Sequence, residues 1–307
     1  ELLLVGPTGL VEPLLRRFGG GLSGIRCVEA PEVVGMDESP AQAVRRKKNA
    51  SLVVCGELVR RGEAGAFVSA GNTGAGMAVA LMKLGRIPGV DRPAIATPLP
   101  ALHGRILLLD AGANVDCAPH NLLQFAILGS VYAREVFGVA APRVGLLNIG
   151  EEATKGTQLC QEAYALLSQA PIRFVGNVEA RDIFRDLVDI VVCDGFVGNV
   201  TLKMGEGVVD FLRTLIQAEI RSRPWLRVPA AMLMPALRRI QRQTDYREAG
   251  GAQLLGVEGV CIISHGRSDA RAICNAIRTA GEEVQRGLVA KIRSEFAAAG
   301  QLVAPRA

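Results

Sequence analysis

Several strings in this sequence place amide, hydroxyl and charged side chains among glycines, the composition that anion chemistry uses. Ser69-Ala70-Gly71-Asn72-Thr73-Gly74-Ala75 leads from an apolar run into a helix-compatible stretch, Met77–Leu84. Glycines let a backbone approach an anion closely, hydroxyl and amide groups add donors, and a helix N-terminus presents unpaired N–H groups with a favourable dipole. The string reads as a phosphate cradle or, equally, as an ordinary strand-to-helix turn. Lys155 stands between Thr154 and Gly156-Thr157. There a mobile ammonium could meet phosphate or a developing oxyanion, and a solvated lysine at a helix start is the competing reading. Asn199 closes Asp194-Gly195-Phe196-Val197-Gly198-Asn199. Its carboxamide could donate to a carbonyl under attack while Asp194 and the glycines, Gly198 among them, shape the loop, or it could cap a helix beginning near Val200. Asn114, Asp116 and His265 follow other apolar runs and read as further polar members of the pocket.

Metal and thiol chemistry are not expected. His103, His120 and His265 form no H-x-x-x-H pair, and the Cys117/His120 spacing lacks a second pair. The seven cysteines include no C-x-x-C and lie mostly in apolar runs, which reads as buried, reduced core thiols. Cys193 or Cys117 could in principle carry an acyl group, but the apolar strand flanking Cys193 favours a structural thiol. No cofactor is called for.

These strings need a scaffold, and the spacing of apolar runs supplies one. Short β-rich runs at Leu2–Gly6, Ala66–Ala70, Ile106–Asp110, Val144–Ile149, Arg173–Val178, Asp189–Asp194 and Val260–His265 read as strands buried on both faces. Between them Asn121–Phe137, Thr157–Ser168, Leu202–Ile220 and Ala270–Arg293 have helical spacing. Alternation of this kind predicts a doubly wound α/β fold with a mostly parallel sheet and crossover helices. Ligands then sit beyond the carboxyl ends of the strands, where the polar glycine-rich strings fall.

The 307 residues fit one extended domain, 1–307, with an excursion at 221–247. Apolar residues make up 49% and aromatic residues only 4%, so the core must be built from Val, Leu, Ile and Ala. The net charge of +5 is too small and dispersed to argue for nucleic acid, though it permits an acidic partner. No run reaches the roughly 18 to 20 apolar residues of a membrane-spanning helix. Glu1 leads straight into Leu2–Val5 without an initiator Met or a basic leader, which predicts a cytoplasmic chain shortened at its start. The basic run Arg45-Arg46-Lys47-Lys48 is a solvated helix face or a contact for an acidic carrier protein. Arg221–Arg242 carries six arginines, no acidic residue, and Trp225, Leu226, Met232, Leu233 and Leu237. It reads as an amphipathic element lying on anionic lipid or as a dimer-interface arm.

Taken together, the strings resemble the PlsX family of phosphate acyltransferases. The likeness is carried by Glu38-Ser39-Pro40 through Asn49, Ser69–Ala75, Leu109–Asp116, Asn148–Gly156, Gly176–Glu179, Asp194–Lys203 and His265–Ala270, in the family's order and along nearly the whole chain. The resemblance implies an isocitrate/isopropylmalate dehydrogenase-like fold shared with phosphotransacetylases, and a homodimer peripherally associated with the cytoplasmic face of the membrane. It implies acyl transfer from acyl carrier protein (acyl-ACP) to inorganic phosphate without metal or nucleotide, the product feeding a glycerol-3-phosphate acyltransferase. The family opens with a strand and a turn of the form D-A-M-G-G-D, and this chain begins after it, so a first βα unit is expected to be missing. The rival readings are a phosphotransacetylase acting on coenzyme A thioesters, a decarboxylating dehydrogenase disfavoured by the lack of clustered carboxylates, and a membrane-bound scaffold without turnover.

Overall fold

The computed structural model describes residues 1–19, 23–244 and 250–299. These separate into two compact units, one comprising Glu1–Pro93 with 250–299 and the other 94–244.

In the first unit β1 (Leu2–Gly6) pairs in parallel with β2 (Ile25–Glu29). A second group joins β3 (Ala66–Ser69) in parallel to β10 (Val260–Ile263), which runs antiparallel to β9 (Ala252–Leu255). The helices are α1 (Thr8–Gly19), α2 (Pro40–Arg46), α3 (Ser51–Arg60), α4 (Thr73–Val79) with a π-turn at Ala80–Leu84, α9 (Ala270–Gln285) and α10 (Leu288–Ala299). Helix α9 buries a stripe of small residues, Ala272, Ala276 and Ala280, at intervals of four. Small side chains there let the helix lie close on β3 and β10, where Val260 and Ile262 complete the cluster. The expected helix Ala270–Arg293 is two helices because Gly287, at φ +65°, turns the chain between them.

In the second unit the strand order is β4 (Ala94–Pro100), β5 (Arg105–Leu109), β8 (Ile190–Val192), β6 (Arg143–Asn148), β7 (Arg173–Glu179). Only β4 runs antiparallel, against β5; β5, β8, β6 and β7 are parallel neighbours. Helix α5 (Pro119–Tyr132) is buried from Asn121 through Tyr132, mostly apolar on all faces, with Asn121, Gln124 and Ser130 as its buried polar residues. The remaining helices are α6 (Gln158–Ser168), α7 (Gly195–Ser222) and α8 (Arg227–Thr244). At the amino ends of the strands, Arg143 grips Asp189 with Nε and Nη2 at 3.0 Å each and donates its backbone N–H at 2.7 Å. The fork holds the start of β6 against the start of β8, leaving the opposite ends free for chemistry.

All seven expected strands form and the sheets are mostly parallel. Strands β2, β4 and β9 were not expected, and the excursion expected over 221–247 is the end of α7, a 3₁₀ turn (Pro224–Leu226) and α8, its last residues lying outside the described ones.

Candidate functional site

The second unit builds its site on the carboxyl ends of β5, β8 and β6. In the ladder Leu109 pairs with Val192, and Val192 with Leu146. Strands in a sheet lie about 4.8 Å apart, so the loops after β5 and β6 leave the sheet roughly 10 Å from each other with the start of α7 between.

The loop after β5 is organised by Asp110, whose side chain is 0% exposed. Oδ1 accepts the N–H groups of Ile95 (2.9 Å), Gly112 (3.1 Å) and Ala113 (3.0 Å). Oδ2 accepts the N–H of Asn114 (2.7 Å) and its carboxamide Nδ2 (2.9 Å). Burial pushes the carboxyl above the usual carboxylate range, and the bonds from Ala113, Ile95 and Asn114 pull it back. Asn114 returns the favour to α7, accepting the N–H of Gly195 at 2.7 Å. A Cβ on Gly195 would stand 2.6 Å from that same carbonyl oxygen. One on Gly198 would collide with the carbonyl oxygen of Asp110. The glycines are required because the helix sits directly on the loop.

Asp194 caps α7, its carboxylate accepting the N–H of Val197 at 2.9 Å. This overturns the alternative reading of Asn199 as a cap: the helix begins at Gly195, five residues before Val200, and Asn199 lies within it. Asn199 is exposed, packs on Gly112, and its carboxamide makes no hydrogen bond among the described residues. Of the first N–H groups of α7, those of Gly195, Val197 and Gly198 are taken, by Asn114, by the Asp194 carboxylate and by the Asp194 carbonyl. The N–H of Phe196 has no partner among the described residues, and it shares a helix face with Asn199 three residues on.

The loop after β6 holds Lys155. Asn148 donates its Nδ2 to the Lys155 carbonyl at 3.1 Å, Asn177 donates to the carbonyl of Glu152 at 2.8 Å, and Gln161 to that of Thr154 at 2.8 Å. Gly156, at φ +86°, packs its α-carbon on the Asn148 carboxamide where a side chain would not fit. Thr157 rather than Lys155 opens the helix, capping α6 through Cys160 N at 3.4 Å. The backbone is thus held by side chains from two strands and a helix, while the exposed ammonium makes no ion pair or hydrogen bond among the described residues.

In the first unit the expected cradle forms after β3. Ser69 Oγ accepts the N–H of Gly71 at 3.3 Å. Asn72 is 9% exposed and fully engaged, capping α4 through Ala75 N (3.0 Å) and donating to the carbonyls of Gly35 (3.1 Å) and Met36 (3.4 Å). Its side chain therefore shapes the turn, leaving the N–H groups of Thr73 and Gly74 without partners among the described residues. Gly74 also serves packing, since a Cβ there would stand 2.7 Å from Cγ of Pro40. A cavity of 270 Å³ lies against the turn, with Ser69, Asn72 and Ser51 beside Val33, Leu52 and Val68. The exposed His265 lies two residues beyond β10, which runs parallel to β3; its Nδ1 accepts the N–H of Arg267 at 3.1 Å, and Gly266 passes beside the Ala70 carbonyl.

The site residues expected from sequence thus fall into two clusters, each within its own unit: Ser69, Gly71, Asn72, Thr73, Gly74 and His265 in the first, Asn114, Lys155, Asp194, Gly198 and Asn199 in the second. Asp116 is exposed in the Asp110 loop of the second unit. Sequence reasoning passed over Asp110 as organiser and the Phe196 N–H; an acid at a strand end followed by Ala-Gly-Ala-Asn was the available signal. Among the described residues no group of three or more His, Cys, Asp or Glu is placed to hold a metal ion. Only Cys193 and Cys261 are buried, their thiols pushed up by burial; Cys27, Cys55, Cys117 and Cys160 are partly exposed, burial still raising Cys55 to about 11, and Cys274 is exposed, against the expectation of buried core thiols. Lys47 of the basic run is tied to Glu38 at 2.6 Å, leaving Arg45, Arg46 and Lys48 exposed. Trp225 (69%) and Met232 (78%) are widely exposed, as is Leu233, whereas Leu226 and Leu237 are partly covered. No helix among the described residues is long and apolar enough to cross a membrane.

Residues 1–291 match the family model described as fatty acid synthesis protein. A phosphate acyltransferase from Heliobacterium modesticaldum is 55% identical over 297 residues, 96% of this chain and 89% of that protein. One from Pelotomaculum thermopropionicum is 54% identical over 298 residues, 96% of this chain and 86% of that protein. Among solved structures, a phosphotransacetylase from Streptococcus pyogenes superimposes with a TM-score of 0.60 at 15% identity, covering 93% of this chain and 94% of that one, a likeness of fold.

Proposed function

The chain belongs to the family of fatty acid synthesis proteins, and from that premise we propose that it is a phosphate acyltransferase, moving an acyl group from acyl-ACP to inorganic phosphate. The observation that carries the reading is the alignment of three parallel strand tips in the second unit. They present an ammonium, a carboxamide and a helix N–H, each without a partner among the described residues, on neighbouring loops.

In the proposed reaction a phosphate oxygen attacks the thioester carbonyl carbon. Lys155 holds the phosphate, and Asn199 with the Phe196 N–H stabilises the oxyanion, each such donor contributing roughly 3 to 4 kcal/mol. The C–S bond then breaks, the electron pair leaves on sulfur, and the proton of hydrogen phosphate ends on the thiol. A thiolate leaves readily, so no strong general acid is required, and every nearby donor serves charge rather than proton transfer. The N–H groups of Thr73 and Gly74, without partners among the described residues, support an anion contact at the first-unit turn as well. Product acyl phosphate would serve a glycerol-3-phosphate acyltransferase. The exposed apolar residues of α7 and α8, among arginines, support either a homodimer or attachment to the cytoplasmic face of a membrane; sedimentation with anionic vesicles and by itself separates the two.

Purified protein given long-chain acyl-ACP or acetyl-coenzyme A, with phosphate and hydroxylamine to trap acyl phosphate, tests the proposal. Hydroxamate from acyl-ACP is expected. Turnover only on the coenzyme A thioester would make the chain a phosphotransacetylase, and vesicle binding with no turnover on either would make it a scaffold.

A further inference from the structure

We propose that Asp110 is a positioning residue for acyl transfer: its buried carboxylate fixes the loop on which the first turn of α7 is seated, and so aims the Asn199 carboxamide and the Phe196 N–H. The proposal rests on the reading of the chain as a phosphate acyltransferase.

Among the described residues, the five groups within hydrogen-bond distance of the Asp110 carboxylate are all N–H donors, from Ile95, Gly112, Ala113 and, twice, Asn114. A carboxylate offers about four acceptor sites, so none is left for a substrate, and a protonated carboxyl would point its O–H at a donor. Asp110 therefore acts as an anion that touches only protein. What it touches is the seat of α7: Asn114 accepts from Gly195, the Asp110 carbonyl lies where Gly198 has no side chain, and Gly112, at φ +136°, lies against Asn199. The Asp110 Oδ2 is also 2.8 Å from the place a Gly195 Cβ would occupy, beside the positive end of the helix dipole. A negative charge there works against a developing oxyanion. If field alone mattered, removing it would speed the reaction; if position matters, removing it slows the reaction.

Asp110→Asn turns one carboxylate oxygen into a donor facing donors, so the loop must move. The test compares wild type, Asp110→Asn, Asn199→Ala and the double variant as full chains, by steady-state acyl-phosphate formation and by hydrogen exchange of the amides at 197–199. Exchange there should speed about tenfold or more while that of α5 stays unchanged. The kcat of Asp110→Asn should fall about tenfold or more with the KM for phosphate within about twofold, and Asp110→Asn should cost less in the Asn199→Ala background than in wild type, because part of its effect passes through Asn199 and the rest through the Phe196 N–H. Unchanged exchange, a raised kcat, or a full multiplicative loss in the double variant would overturn the proposal. Should Asp110→Asn fail to fold, Asn114→Ala, which removes one of the five donors, is expected to show the same pattern at smaller amplitude, and wild-type kcat and exchange in it would count against Asp110. A wild-type chain that forms no acyl phosphate strikes the functional reading, and the exchange comparison then decides alone whether Asp110 holds the helix.

Discussion

The carbonyl oxygen of Asp110 occupies the space in which residue 198 would carry a Cβ, so Gly198 joins the loop after β5 to the helix after β8. Gly198→Ala should destabilise the fold by about 2 kcal/mol or more despite the better helix propensity of alanine. Gly205→Ala on the same helix, where nothing stands within 4 Å, should instead stabilise it by about 0.5 to 1 kcal/mol. Urea unfolding of the two variants reads the difference, and equal effects would deny the close contact.

Asn72 was expected to meet an anion, and its side chain is spent on its own turn. Asn72→Ala should cost about 1 to 2 kcal/mol, losing a cap and the tie to Gly35 and Met36. Asn72→Asp, which keeps the acceptor for Ala75 but sets a buried carboxylate oxygen against the carbonyl oxygens of Gly35 and Met36, should lose at least as much. Unfolding midpoints unchanged in both would mean that the side chain is free for ligand.

This difference shows where the sequence was legible. The strand tips were readable because glycine, asparagine and aspartate interrupt apolar runs where a doubly wound sheet needs turns, and seven strands followed. Strand β4 was not readable, because Pro98 and Pro100 argue against a strand and are tolerated here only in an antiparallel pair with β5. The start of α7 was hidden by Gly195 and Gly198, poor helix formers whose reason is a neighbour's backbone. Asp110 stood in a recognised string, but its importance comes from burial and from N–H groups of Ile95 and Asn114, and linear order does not display such a contact.

At the other end of the sheet, burial raises the Asp189 carboxyl but the bonds from Arg143 outweigh it, leaving it below its ordinary value. A depressed carboxyl contributes stability that is present above the unfolded pKa of roughly 4 and lost as pH falls through the folded value below it. Both side chains are partly solvated, so the contribution is about 1 to 2 kcal/mol. Wild type should lose that increment on going from pH 5 to acid, and Arg143→Ala should show a flatter acid limb in urea titrations. Parallel limbs would contradict the pairing.

Direct attack by phosphate leaves no acylated cysteine. Burial, then Asp194 and Asp110, hold the Cys193 thiol well above its ordinary value, in the form that is not a nucleophile. Incubation with acyl-ACP in the absence of phosphate should leave the intact mass of the chain unchanged. An added acyl group on Cys193 or Cys117 would replace the one-step account with a two-step one.

The most direct test is the rate of hydroxylamine-trapped acyl phosphate from acyl-ACP and phosphate by wild type, Lys155→Ala and Asn199→Ala. Both side chains are exposed and unpaired among the described residues, so both variants should melt as wild type does. Each is expected to lose roughly a hundredfold in kcat/KM. A folded Lys155→Ala or Asn199→Ala protein that retains the full wild-type rate would contradict the assignment of acyl transfer to these strand tips.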